Sequence, residues 1–164
     1  MLMMEIVRDL LGLPEALYYF NPNGEYLASG PMIDALFERF EQMNLPPLEL
    51  WSNIRMFTLS YDENWLLMDT VGMMQLDVTD HEAIFHKQAY DPNEVASFLR
   101  SVSDYLLKNG SVIQDGYTID GPGGVRWQGT LFEEGAAEPP RQVLRWLAVD
   151  GREVPPGLLR NETN

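Results

Sequence analysis

The 164-residue chain contains no cysteine, which excludes thiol catalysis, thiolate zinc sites and disulfide cross-links. Basic residues are scarce: 11 Lys plus Arg stand against 25 Asp plus Glu, for a net charge of −14. A surface of that sign repels phosphate backbones and anionic lipid headgroups, so neither nucleic acid nor a membrane is an expected partner. A basic protein or a divalent cation has the complementary charge. No apolar run approaches the roughly 20 residues that a membrane span needs. The N-terminal MLMMEIVRDLLGL is interrupted by Glu5, Arg8 and Asp9, with no basic segment before it and no small-residue cleavage site after it. It does not read as a signal peptide, and a cytoplasmic protein is the expectation.

Familiar catalytic and cofactor motifs are missing too. The glycines at 110, 116, 121, 123 and 124 spell neither a G-x-x-x-x-G-K-[ST] phosphate loop nor a G-x-G-x-x-G dinucleotide turn. No serine sits in a G-x-S-x-G elbow. No cofactor is implied.

What is present suffices for one ordinary domain. Apolar residues make up 45% of the chain, with 7 Phe, 7 Tyr and 4 Trp among them. A chain of this length buries about 70% of its extended surface on folding. One α+β domain over residues 1–150 is expected, followed by a C-terminal tail at 151–164.

Helices announce themselves at three places. Met3, Ile6, Val7 and Leu10 line one side of a short helix over 3–11. Ser29-Gly30-Pro31 opens a second, in which Ile33, Leu36, Phe37 and Phe40 recur at helical spacing. Asp91-Pro92-Asn93-Glu94 opens the third, with a capping residue and Pro at the first helical position; its apolar face is Val95, Phe98, Leu99, Val102 and Leu106. Strand signals fall at 16–20 and 25–28 around an Asn-Pro-Asn-Gly turn, then at 50–61, 65–71, 73–78, 81–86, 111–114 and 125–131. Residues 141–149 suit strand or helix equally. Runs of strands joined by turns, with two main amphipathic helices, indicate a mostly antiparallel sheet carrying those helices on one face.

One stretch concentrates the chemistry. Between Met56 and His86 there are six acidic residues and no Lys or Arg. Within it, Asp69, Asp77, Asp80, His81 and Glu82 form the candidate acidic site, because clustered carboxylates suit a hard divalent cation. Solvated turn residues are the plainer alternative. His81 and His86 are five apart, so they fall on opposite faces of a strand and cannot share one metal as an H-E-x-x-H pair does; no metal is assigned. Trp51, Trp65, Trp127 and Trp146 read as core or sheet-face residues, or alternatively as anchors of an interface.

Tyr19-Phe-Asn-Pro-Asn-Gly24, Leu50-Trp51, Asp69-Thr-Val-Gly-Met73, Asp80-His-Glu-Ala83, Tyr105-Leu-Leu107 with Gly110, and Asp115-Gly116-Tyr-Thr-Ile119 together resemble an uncharacterised bacterial family, domain of unknown function 4261. The likeness spans about residues 15–150. Members often carry Gly-Asp-Thr where this chain has Gly116-Tyr117-Thr118. The resemblance implies one bacterial α+β domain and no activity or catalytic residue.

Composition and motifs favour a small acidic, non-enzymatic protein-binding module, of the immunity or regulatory kind, acting on a basic protein partner. The alternative is a divalent-metal-dependent hydrolase or small-ligand enzyme built on the 69–86 window. A subunit of a larger assembly, with the tryptophans at its interface, is a third expectation.

Overall fold

The computed structural model of the chain describes residues 2–60, 62–156 and 158. Helix α1 (Leu2–Leu11) leads into a hairpin of β1 (Tyr19–Asn21) and β2 (Tyr26–Ala28), followed by α2 (Gly30–Met43). Strands β3 (Asn53–Leu59), β4 (Asp62–Val71) and β5 (Asp80–His86) follow, then α3 (Pro92–Asn109). Strands β6 (Thr118–Asp120), β7 (Arg126–Phe132) and β8 (Val143–Ala148) complete the order. Six strands form one sheet in the order β3-β4-β5-β8-β7-β6, and β1-β2 stand apart as a two-stranded unit. Every neighbour pair in the large sheet is antiparallel except β5–β8. The fold is α+β with a mostly antiparallel sheet.

Helix α3 forms where its caps place it. Asp91 accepts from the Asn93 N–H at 2.8 Å, Pro92 occupies the first turn, and Gly110, at φ 78°, ends the helix. Its buried face is the expected Val95, Phe98, Leu99, Val102 and Leu106. That face covers one side of the sheet, against Leu66, Met68, Ala83, Phe85, Trp127, Leu144 and Trp146. A second cluster joins α1, α2 and the hairpin through Met4, Ala28, Ile33, Phe37 and Leu50.

The other side of the sheet has its own small core. Leu59, Trp65, Leu67 and Ile84 pack there with Leu158, and Ala137, Leu147 and Val154 lie around them. Val154 and Leu158, within the expected tail at 151–164, thus cover apolar side chains that the sheet presents on this side. Residues 160–164 of the expected frayed end, and Tyr61 of the expected 50–61 strand, lie outside the described residues.

Four local expectations change. Leu48–Leu50 is a 3-10 turn rather than the start of a strand. Asp62 to Asn64, read as a turn, belong to β4. Met73–Leu76 is also 3-10, because Gly72 (φ 107°) and Asp77 (φ 57°) both adopt left-handed backbone and break any extended run. The segment 111–114 is irregular, and the edge strand forms instead at Thr118–Asp120. At 141–149 the strand alternative is correct: β8 is flanked on both sides and its first four residues are buried.

Candidate functional site

The register of the sheet converts the acidic window into a row of alternating partners. Arg55 on β3 lies opposite Asp69 on β4, Asp69 opposite Glu82 on β5, and Glu82 opposite Arg145 on β8. Two-residue alternation puts these side chains on the face with Leu67, Ile84 and Leu147, away from α3. Asp69 and Glu82 are like charges placed side by side in the interior, a destabilising pair unless each is neutralised. Each has its own arginine.

Asp69, fully buried, receives a two-point contact from Arg55, Nε to Oδ1 at 3.1 Å and Nη2 to Oδ2 at 2.6 Å. Arg141, just before β8, adds a bond from Nη2 to Oδ2 at 2.6 Å. Planar guanidinium forks suit a carboxylate in this way, and charge-assisted bonds are the strong ones. Arg55 also reaches the exposed Glu25 through Nη1 at 2.9 Å. The hydrogen bonds from Arg55 to Asp69 raise the arginine's pKa above its ordinary value, against burial, which alone would lower it.

Glu82 accepts from Arg145 Nε on one oxygen and from the Ala136 N–H at 2.8 Å on the other. The Arg145 guanidinium lies over the Phe132 ring, 3.8 Å from its centroid, and donates from Nη1 to the Leu158 carbonyl at 2.5 Å. Asp80 accepts from Thr70 Oγ1 at 2.8 Å and from the N–H groups of Gly72 and Met73 at 3.3 and 3.1 Å. The Arg141 Nε atom stands 3.4 Å from its Oδ2. Burial still raises the Asp80 carboxyl above the ordinary carboxylate range against the pull of those donors.

These bonds fasten irregular chain over the sheet. Arg141 Nη1 donates to the Ala137 and Pro139 carbonyls, and Arg55 Nη2 to that of Glu138. The row thereby pins residues 136–139 and Leu158 across the face opposite α3. Between that lid and β3 runs a groove of about 660 Å³ bordered by Arg55, Phe57, Leu59, Leu67, Ala137 and Leu158.

Of the five acidic-site candidates, Asp69, Asp80, His81 and Glu82 are buried, and Asp77 is exposed at the end of the 3-10 turn. Strand alternation turns His81 to the α3 side, beside Ala83 and Phe85. Neither of its ring nitrogens has a partner, and burial lowers its pKa to about 3. It is a neutral imidazole in an apolar setting. Among the described residues no three His, Asp or Glu side chains are arranged to hold a metal ion.

The tryptophans divide by depth. Trp127 and Trp146 are completely enclosed and pack on Phe98, tilted and edge-on respectively, with ring centroids 5.4 and 5.5 Å away. They are core residues and cannot anchor an interface from there. Trp65 is also buried, against His86, and Trp51 is half-buried.

The residues that sequence reasoning missed are the arginines 55, 141 and 145 and the hydroxyl of Thr70. A signal existed. Arg55 and Arg145 each interrupt a run otherwise apolar or aromatic, Ile54-Arg55-Met56-Phe57 and Leu144-Arg145-Trp146-Leu147, which is where a buried counter-charge is to be sought.

Three of the resembling segments meet in space. Asn21 Nδ2 donates to the Leu50 carbonyl at 3.0 Å and to Gln75 Oε1 at 3.2 Å. A Cβ on Gly24 or on Gly72 would stand 2.4 Å from the Trp51 carbonyl oxygen, and the Gly72 one 2.8 Å from Gly24 Cα. Backbone from all three segments thus converges where only glycine fits.

No helix among the described residues is long and apolar enough to cross a membrane. No curated protein and no solved structure matches the chain. Residues 69–147, which carry the three buried carboxylates and two of their three arginines, match the model of the family described as a domain of unknown function, DUF4261.

Proposed function

We propose that this chain is an acidic, non-enzymatic protein-binding module, of the immunity or regulatory kind, that acts on a basic protein partner. The observation that carries the reading is the commitment of Asp69 and Glu82 to internal arginines. A buried carboxylate whose charge is matched by an arginine and whose two oxygens both accept hydrogen bonds is a poor general base and a poor metal ligand. The net charge of −14 then resides mainly in exposed acids, where it accelerates encounter with a cationic partner and makes association salt-sensitive. A cytoplasmic location suits such a role.

Affinity purification of the tagged protein from its own cells, at low and at high salt, tests this. A basic protein recovered at low salt, released by added salt and bound again in purified form is the expected result. Recovery of acidic or neutral partners only, indifferent to salt, would sink the reading. The metal-dependent hydrolase remains the competing proposal. It requires a cation that binds the folded state; at about a hundred times its dissociation constant that cation would add roughly 2.7 kcal/mol of stability and raise the melting midpoint by several degrees.

A further inference from the structure

Helix α1 is apolar on two sides. Met4 is buried and Val7 and Leu11 are partly so, packed on Phe37, Ile33 and Ala28. Met3, Ile6 and Leu10 instead face solvent, 76%, 51% and 54% exposed, and Leu13 just past the helix is 56% exposed. Within the helix the spacing 3, 6, 10 is that of successive a, d and a positions, the pattern of a helix that packs against another helix. No described element of the chain covers it. An isolated exposed apolar residue is ordinary, but three in register on one helix, extended by Leu13 just past its end, mark a contact surface.

Charge identifies the occupant. Residues 1–50 hold eight acids and two bases, Arg8 and Arg39. Both bases are already paired, Arg8 with Asp34 at 2.6 Å and Arg39 with Glu49. At 100° per residue, Glu5 and Asp9 border the open edge of the stripe. A second copy of this chain would bring the same acids against them, whereas a partner helix flanked by Lys or Arg would meet them favourably.

Resting on the protein-binding reading above, we infer that the stripe of Met3, Ile6 and Leu10 on α1, with Leu13 just past its end, is the docking face for a basic amphipathic helix of the partner protein. The partner's apolar residues would pack between these four, with its cations over Glu5 and Asp9.

The test uses a synthetic Lys/Leu heptad peptide and its Glu/Leu counterpart, with fluorescence anisotropy on the full chain. The variants are Ile6→Asp/Leu10→Asp and, as a control for general surface hydrophobicity, Met56→Asp, a site 53% exposed on β3. All of these side chains are solvent-facing; thermal melts and circular dichroism verify that each variant folds. The expected result is binding of the Lys/Leu peptide only. It weakens by about tenfold or more in the α1 variant, as for loss of a central apolar anchor, and is unchanged in Met56→Asp. Equal binding to wild type and α1 variant overturns the inference while leaving the protein-binding reading in place, since acidity alone then recruits the peptide. A dimer in sedimentation that dissociates in the α1 variant also overturns it, in favour of a second copy. If neither the Lys/Leu peptide nor any basic protein binds at low salt, both readings fall.

Discussion

Asp69 neutralises two guanidinium groups from a position with no access to water, so its removal is felt through what it leaves behind. Asp69→Asn leaves Arg55 with only the exposed Glu25 and Arg141 with only Asp80, 3.4 Å away, and weakening a buried cluster in this way costs up to about 3–5 kcal/mol. Urea denaturation should show that loss with little change in the slope of the transition. His81 predicts a pH effect of definite sign. Burial lowers its folded-state pKa to about 3 from the ordinary 6.5. The unfolded chain therefore takes up a proton between pH 6.5 and 3 that the native chain refuses. The stability present above pH 6.5 falls as the solution is acidified, by at most about 1.4 kcal/mol per pH unit. The raised pKa of Asp80 acts oppositely, favouring the native state below its folded pKa, so the wild-type curve is the resultant of the two. Comparing His81→Leu with wild type in urea at several pH values isolates the histidine term. The variant should lose the acid-side slope and be no less stable at pH 7, since both ring nitrogens are buried without partners. At this scale the acids were visible in the sequence and their partners were not. Asp69, Asp80 and Glu82 stand within 14 positions of each other, but Arg145 reaches Glu82 across 63 residues. Only strand pairing brings it there.

Elements formed where capping and turn chemistry were local. Helix α3 has an Asp-Pro start and a Gly stop, all written in adjacent residues, and its apolar face was readable without a partner in view. The stretch after Gly72 reads as a continuing strand in the sequence, whereas two left-handed residues bracket a 3-10 turn held by Asp80. That turn predicts a contrast between two glycines. Gly72→Ala suffers both a backbone at φ 107° and a Cβ 2.4 Å from the Trp51 carbonyl, whereas Gly24→Ala suffers the close approach without the positive φ. Both should lower the melting midpoint, Gly72→Ala by more, with about 1–3 kcal/mol added by the backbone strain. Equal losses would show that contact alone governs the junction.

For the whole molecule, the distribution of charge matters more than its sum. The interior balances its carboxylates with arginine, and EDTA or Mg²⁺, Mn²⁺, Ca²⁺ and Zn²⁺ added in turn should leave the melting midpoint where it is. A shift abolished by Asp80→Asn would restore the metal-enzyme proposal. The fold class followed from the order of strand and helix signals, because that order survives errors at individual boundaries. The connection of the sheet did not follow, since nothing local says that β8 enters between β5 and β7. That placement has a consequence for biosynthesis. The last described strand to be made is an interior one, so while the ribosome is still extending the chain, β5 is an open edge and Glu82 awaits Arg145. A nascent β3-β4-β5 ribbon with α3 on its back offers unpaired backbone to any passing strand. Premature stops between β7 and β8 should therefore yield aggregates instead of smaller folded proteins.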